Sequence, residues 1–128
     1  MAIIKAYTTI EQSRKLAEIL PLESVDMFHF IHEVDTVGFG YKKDAEEFYS
    51  KTEFEYIPCW SLAALLNVIP KHIKDYNVLR TDISENDTSI WYDEIGYGVN
   101  NNLPDITMEY AVDACYEMII RLNELNLL

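Results

Sequence analysis

Three features of the chain predict an α+β fold: a small antiparallel sheet with helices packed on one face, in a single domain over residues 1–128. Apolar residues recur at helical spacing near both ends. A nearly uncharged run, Ile57 to Pro70, sits between them. Two strand-like segments, Val78–Ile83 and Ser89–Ile95, flank the loop-forming Ser84-Glu85-Asn86-Asp87-Thr88. That connection is too short for a parallel crossover, so the two strands should pair as a hairpin.

In order along the chain, residues 8–20 read as the first helix. Thr8 offers a cap, with Glu11 reaching back, and Ile10, Ser13, Leu16, Ala17 and Leu20 form one stripe. Pro21 ends it. Val25 to Val34 reads as a strand. Phe28, Phe30, His32 and Val34 share one face, and Met27, His29, Ile31 and Glu33 share the other. Neither face is cleanly polar, so both should be partly covered. Gly38-Phe39-Gly40 reads as a loop or tight turn. Asp44 to Tyr49 reads as a helical turn or two. Glu53 to Ile57 alternates weakly, as a short strand leading into the uncharged run.

The run from Ile57 to Pro70 reads as a buried helix, apolar nearly all round, with Pro58 in its first turn and Pro70 as its stop. Lys71 to Asp75 is a polar connection. Trp91 is expected to anchor the second hairpin strand. Gly96 to Pro104, with three consecutive Asn, reads as a loop. The last helix is expected from Thr107 to Leu125, with a stripe of Met108, Ala111, Val112, Cys115, Met118, Ile119, Leu122 and Leu125.

The chain has 128 residues, enough for a self-sufficient core. Its 22 acidic and 10 basic side chains give a net charge of −12, which argues against direct nucleic-acid binding and against an anionic membrane surface. The N-terminal residues lack the apolar core of a secretory signal, and no run is long enough to span a bilayer, so a cytoplasmic setting is expected. In a reducing compartment Cys59 and Cys115 should be two buried thiols. A bridge between them would need close backbones.

Charge is also unevenly spread. Between Arg80 and Arg121 there is no Lys or Arg, while the same segment holds nine acids: Asp82, Glu85, Asp87, Asp93, Glu94, Asp105, Glu109, Asp113 and Glu117. Those at 109, 113 and 117 step by four and would stack on one helix face, where like charges repel slightly. All but Asp105 are taken as a candidate acidic face for a basic protein partner. Carboxylates spaced on a rigid helix would also suit a mimic of a nucleic-acid backbone. A solvated surface is the plain alternative.

Three constellations invite chemistry. Cys59-Trp60 at a helix start would suit a nucleophile with a lowered pKa, with His29 or His32 as its base, although the flanking pattern of papain-like enzymes is absent. His29, His32 and nearby acids suggest a metal cluster, but on a strand the two imidazoles point to opposite faces. Asp82, Ser84, Asn86 and Asp93 loosely follow a calcium loop that lacks its glycine and its helical flanks. No metal, cofactor or catalytic set is therefore expected. The tyrosines, among them Tyr41, Tyr49, Tyr56, Tyr92, Tyr97 and Tyr110, could line a homodimer face.

Three blocks, Thr9 to Pro21, Pro58 to Leu66 and Asp113 to Ile120, together about a quarter of the chain, resemble an uncharacterised family of small acidic proteins from gut Bacteroidetes and their phage-like or other mobile elements. The resemblance implies no assigned activity and transfers no site residues. It implies an accessory or inhibitor role in a mobile element. The expected function is a non-enzymatic cytosolic interaction module that presents residues 81–120 to a basic protein.

Overall fold

Alternating and helical apolar patterns resolve into seven strands and three α-helices among the residues described by the computed structural model, namely 5–31, the backbone of 35–39, 55–74, 77–94 and 103–128. The α+β class holds, with two antiparallel sheets where one was expected. They lie in two units, Ala6–Ala64 and Met1–Lys5 with Leu65–Leu128.

In the Ala6–Ala64 unit, helix α1 (Ile10–Ala17) is followed by a 3-10 turn at Leu22–Ser24 and by strands β1 (Met27–Ile31), β2 (Asp35–Phe39) and β3 (Glu55–Cys59). The sheet order is β2-β1-β3, with both pairings antiparallel. Helix α1 packs against β3 and buries Leu16 and Ser13. Its cap is Thr9, one residue later than expected. The Thr9 hydroxyl accepts the Gln12 N–H at 3.1 Å, and the Gln12 side chain accepts the Thr9 N–H at 3.0 Å. Thr8 is diverted because its backbone and hydroxyl both engage Trp60.

The longest departure from expectation is at residues 57–61. Ile57, Pro58 and Cys59 are extended, pairing with His29, Phe28 and Met27. A proline costs nothing on the margin of a sheet when its nitrogen points outward. Trp60 turns its backbone toward Thr8, so by alternation the Pro58 nitrogen also points away from β1. Helix α2 (Leu62–Val68) starts only after this strand. The Ser61 hydroxyl accepts the Ala64 N–H at 3.2 Å, as a cap does. Helix α2 is not enclosed all round either. Leu65 is buried, whereas Ala63 and Asn67 are exposed. Gly38 and Phe39, expected in a turn, are strand residues opposite Phe28 and Met27. The expected helix at Asp44–Tyr49, His32 and the loop at 96–102 lie outside the described residues.

In the second unit, strands β4 (His72–Ile73), β5 (Asn77–Ile83), β6 (Thr88–Glu94) and β7 (Ile106–Met108) form a sheet in that order. Helix α3 (Ala111–Glu124) packs against β6 and β7. The β5–β6 hairpin was legible almost to the residue. Thr88, Ile90 and Tyr92 are buried on one face of β6, and Ser89 and Trp91 take the other. Trp91 is therefore not the anchor of the strand; Ile90 and Tyr92 are, and the Tyr92 hydroxyl donates to the Pro70 carbonyl at 2.6 Å. The short strand β4 occupies what was expected to be a polar connection. Helix α3 starts four residues later than expected because Ile106–Met108 pair with Thr88–Ile90, and the Ser89 and Thr107 hydroxyls meet at 2.8 Å. From Ala111 onward the stripe holds: Val112, Cys115, Met118, Ile119 and Leu122 are buried, while Leu125 is exposed.

Candidate interaction surface

The acidic segment folds into an exposed hairpin end and a helix, and the two treat their carboxylates differently. Every residue from Arg80 to Asp87 is exposed. The turn is closed by the Ser84 N–H donating to the Asp87 carbonyl at 2.8 Å. The Ser84 hydroxyl donates to the Asp87 carboxylate at 2.9 Å, and the Asp87 N–H donates back to that hydroxyl at 3.3 Å. Asp82, Glu85 and Asp87 thus stand together at one end of the hairpin. Among the described residues none of the three forms an ion pair. Ile83 lies between them with 63% of its surface exposed.

Asp93 and Glu94 lie at the other end of β6. At ~3.3 Å per residue that is about 15–20 Å from the turn, beyond the reach of screened charge in physiological salt. Asp93 accepts from the Trp91 indole N–H at 2.7 Å and pairs with the Arg80 Nε at 3.3 Å. Glu94 faces Asn77 in the register.

The expected helix row does not form. Glu109 precedes α3, in a bend. Asp113 is in its first turn and is paired with Lys5, both side chains being largely covered. Glu117 is half-buried. A carboxylate ladder that could imitate a phosphate backbone is therefore missing from this helix. The structure brings together Asp82, Glu85 and Asp87, leaves the exposed Glu109 next to that end because Met108 pairs with Thr88, and sets Asp93 and Glu94 at the far end of β6.

The Cys59 region is a different kind of site. Cys59 ends a strand rather than starting a helix, and it has no exposed surface. The Thr8 hydroxyl and carbonyl each lie 3.5 Å from its sulfur. Burial pushes the thiol pKa up, only partly offset by the Thr8 and Ser13 hydroxyls. His29, 2% exposed, has its Nε2 2.8 Å from the same Thr8 carbonyl and its ring edge-on to Tyr7. Ser13 Oγ meets Thr8 Oγ1 at 2.7 Å. Asp26 accepts from both the N–H and the hydroxyl of Ser61. These polar atoms satisfy one another. The enclosed thiol, held in its neutral form, lacks the access and the lowered pKa that a nucleophile needs. The only sign of this network in the sequence is the place of Ser13 on the otherwise apolar stripe of Ile10, Leu16, Ala17 and Leu20.

Cys115 is likewise buried and free, and burial raises its thiol to about 11. Of the tyrosines offered for a shared face, Tyr92 is buried, Tyr56 and Tyr110 are half-buried, and Tyr41, Tyr49 and Tyr97 lie outside the described residues. A depression of about 220 Å³ is lined by Pro104, Asp105, Ile106, Arg121, Glu124 and Leu125, which is small for an organic ligand. No helix among the described residues is long and apolar enough to cross a membrane.

Comparison with protein families, with curated proteins and with solved structures finds no match to the chain.

Proposed function

We propose that the protein is a non-enzymatic interaction module that engages a basic protein through the end of the β5–β6 hairpin. The observation that carries this reading is the group of Asp82, Glu85 and Asp87, exposed and without a cation among the described residues, with an exposed Ile83 next to Asp82 in the strand. Three uncompensated carboxylates give a local field that steers a cationic partner, and an apolar residue among them supplies contact area once it has docked. The rest of the acidic segment plays a lesser part, since Asp93 and Asp113 already hold cations of their own. The proposal carries with it a cytoplasmic setting and an accessory role in a phage-like or other mobile element.

The test compares two variants of equal net charge. D82N/E85Q/D87N neutralises the hairpin end, and E11Q/E23Q/E124Q neutralises three exposed carboxylates elsewhere. Fluorescence anisotropy with a labelled oligolysine peptide at physiological salt should show several-fold weaker binding for the first variant than for the second. Equal weakening would mean that total charge alone attracts the peptide, and the reading would fall.

A further inference from the structure

The phase of the β5 backbone adds something that charge does not. In an antiparallel strand, each residue sends its N–H and C=O to the same side, and successive residues alternate sides. The Leu79 N–H donates to the Lys71 carbonyl at 2.9 Å, so Leu79 faces the β4 margin. By alternation Thr81 and Ile83 face that margin too, while Arg80 and Asp82 face β6. The hairpin closure agrees: with Ser84 and Asp87 bonded to each other, Asp82 must bond across to Ser89. Yet β4 is only two residues long and pairs with Val78 and Asn77 alone. Beyond Leu79 the margin of β5 is open among the described residues, and both Thr81 and Ile83 are exposed.

Strand margins of this kind are templates for another strand unless proline, lysine or a covering element blunts them. Thr81-Asp82-Ile83 contains neither residue. We propose that this margin accepts an extended segment of a basic protein as an added antiparallel strand, with Thr81 and Ile83 each exchanging N–H and C=O hydrogen bonds with it. The inference rests on the acidic-hairpin reading and specifies how the partner binds.

The margin also dictates the side-chain pattern of the segment. Asp82 points to the face that carries Trp91, so the incoming residue beside it is Lys or Arg. Thr81 and Ile83 point to the face that carries Ile90, so the residues beside them are apolar and cover Ile83. Arg80, on the same face as Asp82, disfavours a second cation at its own level and fixes the register. A second copy of this chain fits poorly. Two β5 margins paired antiparallel would bring Asp82 toward its own equivalent, between chains of net charge −12 each.

The probe is an octapeptide of alternating valine and lysine, with two versions N-methylated on one or the other alternate set of residues. Added to the full-length chain, the parent peptide should slow amide exchange at Thr81 and Ile83 about tenfold or more, as hydrogen bonds form there. In an added strand only one alternate set of peptide N–H groups faces β5. One methylated version should therefore bind about tenfold or more weakly, and the other should bind like the parent. Equal binding of all three peptides, or unchanged exchange at Thr81 and Ile83 at saturation, would overturn strand addition. If D82N/E85Q/D87N still weakens the peptide in that case, the acidic-hairpin reading survives without it. If it does not, both fail.

Discussion

The two sheet units reach stability by different routes. The three-stranded unit is knit by shared polar atoms: Thr8 alone serves Trp60, Ser13, Cys59 and His29. The four-stranded unit is drier. Ile90 of β6 and Val112, Met118, Ile119 and Leu122 of α3 are fully buried. The difference shows where charge can be spared. A unit held together by alkyl packing leaves the turn carboxylates of its hairpin uncommitted. The other unit draws Asp26 into its own framework.

The two tryptophans give the largest way to break that contrast. Trp60, 1% exposed, donates its indole N–H to the Ser24 hydroxyl at 2.9 Å, whereas Trp91 is half-buried on the face of β6 opposite Ile90 and Tyr92. Trp60→Ala should cost about 3–5 kcal/mol in urea unfolding, and Trp91→Ala less than about 1 kcal/mol. Comparable losses would contradict the assignment of core and surface.

Next in size is Thr8→Val. It keeps the shape but strands the Trp60 N–H and removes a partner of Ser13, at a cost of about 1–3 kcal/mol. Thr107→Val, which removes an exposed hydroxyl pair, should stay within about 0.5 kcal/mol. A Thr8→Val protein as stable as wild type would dismiss the polar network as a structural element.

Alkaline pH sharpens the comparison from the other side. Cys115 has an ordinary pKa of 9.0 and is raised to about 11 in the fold, and burial also raises Tyr92. The folded state holds these protons after the unfolded chain has released them, so the unfolded state binds fewer. The stabilisation from Cys115 is complete below pH 9.0 and drains away as pH rises toward about 11, and that from Tyr92, whose ordinary pKa is 10.0, is lost at higher pH still. The melting temperature should fall across that window, and Cys115→Ala should flatten the fall by an amount on the order of 2 kcal/mol. A wild-type melting temperature level from pH 9 to 11 would refute the buried neutral thiol.

The smallest effect belongs to the exposed Arg80–Asp93 pair. Arg80→Gln should change stability by less than about 0.5 kcal/mol, and salt should erase the difference. Urea titrations at low and high ionic strength would measure it.

The elements read best from sequence were those whose pattern and context agreed. Strand β6 alternates cleanly, and the α3 stripe from Val112 to Leu122 faces the core as its spacing requires. Errors clustered where pairing with a distant segment overrode local preference. Cys59 and Pro58 belong to β3 because Met27 and Phe28 await partners on β1, and nothing within ten residues of Pro58 announces that. Glu109 left the helix because Ile106–Met108 were claimed by β6, which also dissolved the expected row of carboxylates. The candidate surface was half legible. The sequence placed Asp82, Glu85 and Asp87 on a hairpin, but the pairing of Asp113 with Lys5 joins residues too far apart in the chain for spacing to reveal.

Pro58 gives its own sheet an asymmetry. The outer flank of β3 has no N–H donor at Pro58, so a stranger's backbone finds that rung missing. A ring locked into one flank acts as a built-in guard against zippering. In crowded solution, that flank of β3 is thereby a poor landing place for another strand.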